Sequence, residues 1–184
     1  MYVDPWHDIA FLKSDKIPES AAEAKLSKKM CKLGDDVFIV GKNEGLDFSY
    51  QTGTISNKYQ LSGLLPSQIY RVSLNAQGGS SGSAVVDSKS GEVIAINHAR
   101  HGSSSAFSLP IKYVYNALEY ISKGKIPPRK SIGAILKYMS LDKLVSHYSY
   151  PKNTSDDYLK KFPDSFKNVL VVDFTLSKSV YIVN

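Results

Sequence analysis

The sequence predicts a mainly β fold, a β-barrel closed off by a helix, followed by a smaller α+β segment. Three observations predict it. Short apolar runs recur between turn-forming Gly, Asn, Asp and Ser residues from Ile9 to Leu109. The hydrophobic period then changes from two to a helical one at Ile111. Between two of the apolar runs lies Gly79-Ser80-Ser81-Gly82-Ser83-Ala84-Val85-Val86, a glycine-flanked serine leading into a strand. Tight glycine backbone there can aim its own N–H groups at one point, as an oxyanion hole requires.

The elements follow in order. Residues 8–13 read as a strand with Ile9 and Phe11 on one face and Ala10 and Leu12 on the other. Residues 14–35 are polar and Lys-rich, a connector. Val37–Gly41, Tyr50–Tyr59 and Ile69–Leu74 read as strands. Ser83–Val86 and Val93–Ile96 flank the turn-rich Asp87-Ser88-Lys89-Ser90-Gly91, and Ala106–Leu109 is one more short strand. Ile111, Val114, Tyr115, Leu118 and Ile121 form one face of an amphipathic helix that Gly124 ends. Ile126-Pro127-Pro128-Arg129-Lys130 reads as a linker. Beyond it come a strand (Ile132–Leu136), helices over Leu141–Tyr148 and Ser155–Phe162, and a strand (Val169–Thr175). The predicted division is 1–25, 26–124 and 125–184.

Composition excludes several classes of function. No apolar run approaches the roughly 20 residues of a membrane-spanning helix, and no signal peptide is visible, so localisation stays unassigned. Cys31 is the only cysteine, which rules out an intrachain disulfide or a cysteine-built metal centre and suits a buried structural thiol. No metal or cofactor is expected. The net charge of +6 comes from dispersed lysines, densest at Lys25, Lys28, Lys29 and Lys32, without the basic stripe and interleaved aromatics of a nucleic-acid surface.

Further residues give the serine loop a context. Asp4-Pro5-Trp6-His7-Asp8-Ile9-Ala10-Phe11-Leu12-Lys13 lies upstream, and Leu33–Gly41, Gln51-Thr52-Gly53-Thr54-Ile55-Ser56, Gly91–Asn97 and Phe107-Ser108-Leu109-Pro110 follow in order. Together these resemble the HtrA (DegP-type) trypsin-like serine proteases, in the branch with a Gly-Gly-Ser-Ser-Gly-Ser nucleophile loop and an Asp-Pro-x-His-Asp motif. The resemblance runs from Asp4 to about Gly133. It implies a trypsin-like second barrel, with the first barrel largely missing, and an endopeptidase that works through a seryl acyl-enzyme.

By that resemblance Ser81 is the nucleophile and Asp8 the carboxylate that orients the histidine base. The N–H groups of Gly79 and Ser81 form the oxyanion hole, and Ser80 shapes the turn between them. Asn75 lies near the base of the specificity pocket, where a neutral residue gives no preference for basic side chains. Asn97, His98 and Ala99 form the other wall. His98 occupies a position close to the aspartate; His7 reads as an outward neighbour, since adjacent strand residues face opposite ways.

The sequence departs from the pattern at Ala84, where the family has proline, and in lacking the base histidine upstream of Asp8. The chain is accordingly read as truncated and weakly active or inactive alone, with a non-catalytic peptide-binding module as the alternative. Ile9–Leu12 is expected to be an unpaired apolar strand. Ser131–Leu136 and Val169–Val172 resemble the first strands of a PDZ domain, which binds peptides by strand addition. The resemblance implies unfolded or extended polypeptide as substrate and a homo-oligomer as an allowed assembly.

Overall fold

The computed structural model describes residues 1–42, 45, 48–61, 68–102, 104–129, 132–163 and 167–175. It divides into two compact units, Met1–Pro128 and Arg129–Asn184. Lys130 and Ser131, in the expected linker and strand, lie outside the described residues, as does the side chain of His101.

In the first unit β1 (Tyr2–Asp4) and β2 (Ile9–Phe11) form a small hairpin. Six strands then close a barrel: β3 (Asp36–Gly41), β4 (Ser49–Leu61), β5 (Gln68–Ser73), β6 (Ala84–Asp87), β7 (Val93–His101) and β8 (Ser105–Pro110). Their spatial order is β3-β4-β5-β8-β7-β6, with every neighbouring pair antiparallel. Closure falls between β3 and β6, where Phe38 faces Val86.

Alternation of side chains builds the core. In β3, Val37 and Ile39 are 0% and 1% exposed, whereas Val40 is 47% exposed. Ile55, Val72, Val85 and Ala95 complete the inner face with them. Cys31 joins this core, and burial pushes its thiol pKa up, so it is held as the unreactive protonated form.

The helix α1 (Ile111–Ile121) buries Ile111, Val114 and Ala117, while Tyr115 and Leu118 are each 37% exposed. Its buried stripe is thus narrower than the periodicity suggested. Gly124 follows at φ 67°, a left-handed position where glycine avoids strain.

The strand expected to be unpaired at Ile9–Leu12 has a partner on one side. β2 is paired with β1 through Tyr2↔Phe11, Val3↔Ala10 and Asp4↔Ile9. Its inner residues Ile9 and Phe11 pack against the cluster of Val93, Ile111 and Val114. The pairing satisfies the backbone groups on the facing sides of the two strands, and a three-residue partner carries too little pattern to be read from sequence. The hairpin belongs to the same compact unit as the barrel.

The second unit pairs β9 (Ala134–Ser140) antiparallel with β10 (Asn168–Thr175). Between them run α2 (Leu141–Tyr148), capped where the Ser140 hydroxyl accepts from the Lys143 N–H, and α3 (Lys152–Lys161). Met139, Leu141 and Leu144 are its small core. β9 begins at Ala134, not Ile132, and α3 begins at Lys152 behind Pro151, a residue suited to start a helix.

Gly53 marks a point of close approach between strands. A Cβ there would overlap the Ser73 carbonyl oxygen and stand 2.8 Å from Leu74 Cβ. Gly53→Ala is expected to lower stability by about 1–3 kcal/mol in urea unfolding; an unchanged midpoint would contradict the packing.

Asp87 organises the β6–β7 turn by accepting from Lys89 N–H (3.1 Å), Ser90 N–H (2.7 Å) and the Ser90 hydroxyl (2.8 Å). Burial acts to raise its pKa, but these donors outweigh it and the net shift is downward. A depressed carboxylate stabilises the fold above its unfolded pKa and loses that contribution as pH falls through the folded value. Asp87→Ala is expected to cost about 1 kcal/mol at pH 7, given solvent screening. The gap between the two proteins should close in acid, and a gap that is constant from pH 7 to 2 would refute the assignment.

Candidate active site

The serine loop is built by glycine backbone and pinned by one side chain. Gly79 (φ 96°) and Gly82 (φ 85°) take left-handed conformations that turn the chain sharply on either side of Ser81. Asn97, 2% exposed, reaches across from β7: its Nδ2 donates to the Ser80 carbonyl at 2.9 Å. Backbone bonds reinforce the clamp, from Gly82 N–H to Asn97 O (2.7 Å) and from Asn97 N–H to Ser83 O (2.9 Å). Ser80 is buried, and both its N–H and its hydroxyl donate to Gln77 O, which fits a role in shaping the turn. The N–H groups of Gly79 and Ser81 donate to no group among the described residues.

A register shift in β7 re-aims the next side chain. Asn97 pairs with Ser108 and Ala99 with Phe107, so His98 is an extra residue in the strand. Its Nδ1 lies 3.2 Å from Asp8 Oδ2, and its carbonyl lies 3.4 Å from Ser81 Oγ, which donates to it. His98 therefore stands between Ser81 on one side and Asp8 on the other. Its Nε2 is buried without a partner among the described residues.

Asp8 is not in a strand. It closes the turn between β1 and β2 with φ 52°, an uncommon value for a residue with a side chain. The turn is organised by Asp4, which is fully buried. Its Oδ1 accepts from the Trp6 N–H at 3.1 Å and its Oδ2 lies 2.7 Å from His7 Nδ1. His7 is consequently turned inward, with its side chain 14% exposed and its ring 4.5 Å from that of Tyr113. Burial pushes the Tyr113 phenol up, and its oxygen accepts from the Gln68 N–H. The outward reading of His7 fails because opposite facing of neighbours applies to strands, and residues 5–8 are a turn. Asp4 was missed by sequence reasoning, although an Asx turn with a histidine three residues on is a local signal.

His7, Asp8, Ile9, Ser81, Asn97 and His98 line one cleft of about 70 Å³. Two imidazoles thus enter it, each with Nδ1 on a carboxylate, and neither ring hydrogen-bonds Ser81 Oγ. A second pocket, about 190 Å³, lies on the other side of Ser81 and includes Ala76, Gln77, Ser80, Asn97, Ala99 and Arg100 in its wall. Of the residues assigned to a specificity pocket, Asn97 and Ala99 line it. His98 lines the first cleft, and Asn75 is exposed and outside the lining, next to Ala76, which is in it.

Comparison with known proteins gives the family. The trypsin-like peptidase domain matches residues 1–96. Protease Do-like 7 of Arabidopsis thaliana is 29% identical over 137 residues, covering 67% of this chain and 12% of that protein. Pro-apoptotic serine protease NMA111 of Yarrowia lipolytica is 32% identical over 144 residues, covering 72% and 14%. The chain therefore spans about an eighth of the length of these relatives. Among solved structures, the HtrA-type protease AlgW with a decapeptide superimposes with TM-score 0.60 at 25% identity, covering 78% of this chain and 46% of that one. The Rv3671c protease of M. tuberculosis shares the fold at TM-score 0.57 and 23% identity, over 71% and 58%.

Asp4 should hold the turn that presents Asp8. Asp4→Ala leaves the His7 ring and the Trp6 N–H without their buried acceptor, with an expected cost of about 3 kcal/mol in thermal or urea unfolding. A loss below 1 kcal/mol, with the His7 ring signals unmoved in NMR spectra, would show that the turn holds itself.

Proposed function

The chain belongs to the trypsin-like peptidase family, with HtrA-type serine proteases as its relatives, and from that premise we propose a serine endopeptidase site centred on Ser81. Ser81 Oγ attacks the scissile carbonyl carbon. The hydroxyl proton passes to an imidazole and then to the departing amine, leaving an acyl-enzyme that water hydrolyses. The N–H groups of Gly79 and Ser81 stabilise the oxyanion, a contribution worth roughly 3 kcal/mol per donor in such sites. Asp8 orients and stabilises the imidazole.

The observation that carries this reading is the convergence of Ser81, Asp8 and an imidazole on one cleft, next to a loop with two unused N–H donors. Substrate is unfolded or extended polypeptide, in keeping with the peptide bound to the neighbouring HtrA-type protease. The second unit is read as a PDZ-like segment that binds peptide on its own, and the reading allows a homo-oligomer.

One geometric fact limits the rate: neither ring nitrogen engages Ser81 Oγ, which donates to a carbonyl instead. Without a base in contact, serine is a weak nucleophile. That same fact favours the second reading, a peptide-binding module without turnover.

A fluorophosphonate probe followed by mass spectrometry tests the proposal. Slow labelling confined to Ser81 and abolished by Ser81→Ala is expected, several orders of magnitude below a complete triad. Peptide binding unchanged by Ser81→Ala, with no label after prolonged exposure, would establish the module instead.

A further inference from the structure

We propose that Tyr113, on the first turn of α1, is a positioning residue of the site: its ring fixes the His7 imidazole against the barrel and so sets where the next residue, Asp8, meets His98. The proposal rests on the reading of Ser81 and Asp8 as parts of one site, and it adds a residue outside the cleft. Tyr113 lines neither of the two cavities beside Ser81.

The argument starts from what holds Asp8. Its side chain is 70% exposed, and its contact with His98 spans 3.2 Å. A carboxylate that open to solvent is screened, and ion pairs of this kind contribute little to holding two elements together. The bonds of Asp4 to Trp6 and His7 are internal to the turn. They give the turn its shape and do not fix where it sits on the barrel.

His7 carries the link outward. Its Nδ1 ties the imidazole to Asp4, and its ring packs against that of Tyr113, with centroids 4.5 Å apart and planes tilted by 30°. That separation lies at the close end of the range for attractive aromatic pairs. Consecutive Cα atoms are only about 3.8 Å apart, so a shift of His7 is passed on to Asp8.

Tyr113 is itself anchored from the barrel. Its phenol oxygen accepts from the N–H of Gln68, the first residue of β5, at 3.2 Å. Gln68 is held at both ends of its side-chain amide: Nε2 donates to the Lys58 carbonyl of β4 at 2.6 Å, and Oε1 accepts from Lys112 Nζ at 2.7 Å. The same turn of α1 supplies Ile111 and Val114, on which Ile9 and Phe11 pack. The strand β2 and the turn before it thus share one support, and Tyr113 is where that support meets the turn.

Nuclear magnetic resonance of the full chain tests this without requiring turnover. Cross-relaxation between the Tyr113 and His7 ring protons is expected in the unaltered chain, and its absence would overturn the proposal whether or not any variant folds. Asp8→Ala gives the His98 ring signals of an imidazole without its carboxylate. Tyr113→Leu should move the His98 signals toward those positions while the amides of Val37 and Ile39 stay protected. Tyr113→Phe, which keeps the ring, should leave them in place. His98 signals unmoved in Tyr113→Leu, or moved equally in Tyr113→Phe, would each overturn the proposal. Fluorophosphonate labelling of Ser81 should slow about tenfold in Tyr113→Leu and recover in Tyr113→Phe. A chain that takes no label at all contradicts the nucleophile reading, and the His98 signals still decide the positioning, so the two fail independently.

Discussion

The hydrogen bond from Asn97 Nδ2 to the Ser80 carbonyl is the constraint on which the rest of the site depends. A loop of two glycines and three serines has little preference of its own and a high conformational entropy. Held by β7, it becomes a fixed turn whose tip carries Ser81. The strand can supply that restraint because it is packed on both sides in the closed barrel, so the clamp inherits the rigidity of the core. Asn97 lines both the cleft and the pocket that flank Ser81.

The other half of the site is made locally. Asp4 folds the β1–β2 turn around its own carboxylate, and the turn then offers Asp8 to His98. Asp8 adopts a left-handed backbone to do so. Non-glycine residues in that region persist where surrounding contacts over-determine them, and they concentrate at working sites. The extra residue at His98 has the same character: a bulge disrupts the ladder between β7 and β8 and aims an imidazole into the cleft.

Much of this was legible in the sequence. The barrel strands announced themselves through alternation, as in Val37 and Ile39 against Val40, and α1 through its change of period at Ile111. The order of Asp8, Gly53, Ser81 and Asn97 motifs carried the family resemblance. What escaped was set by non-local or very short-range geometry. Tyr2–Asp4 is too short for a pattern, yet it pairs β2. The inward turn of His7 follows from Asp4, a contact that strand periodicity cannot express. The bulge at His98 decides which wall Asn97 and His98 face, and it is visible only in the register with Ser108 and Phe107.

Amide hydrogen exchange at Ser83, whose N–H donates to the Ser80 carbonyl at 3.2 Å, reports directly on whether the Asn97 side chain holds the loop. If it does, Asn97→Ala will speed exchange at Ser83 and Gly82 by tenfold or more, the factor that corresponds to about 1.4 kcal/mol of local stability. Val37 and Ile39 in the barrel core will stay protected. Exchange at Ser83 that is the same in both proteins would mean that the loop stands without the clamp.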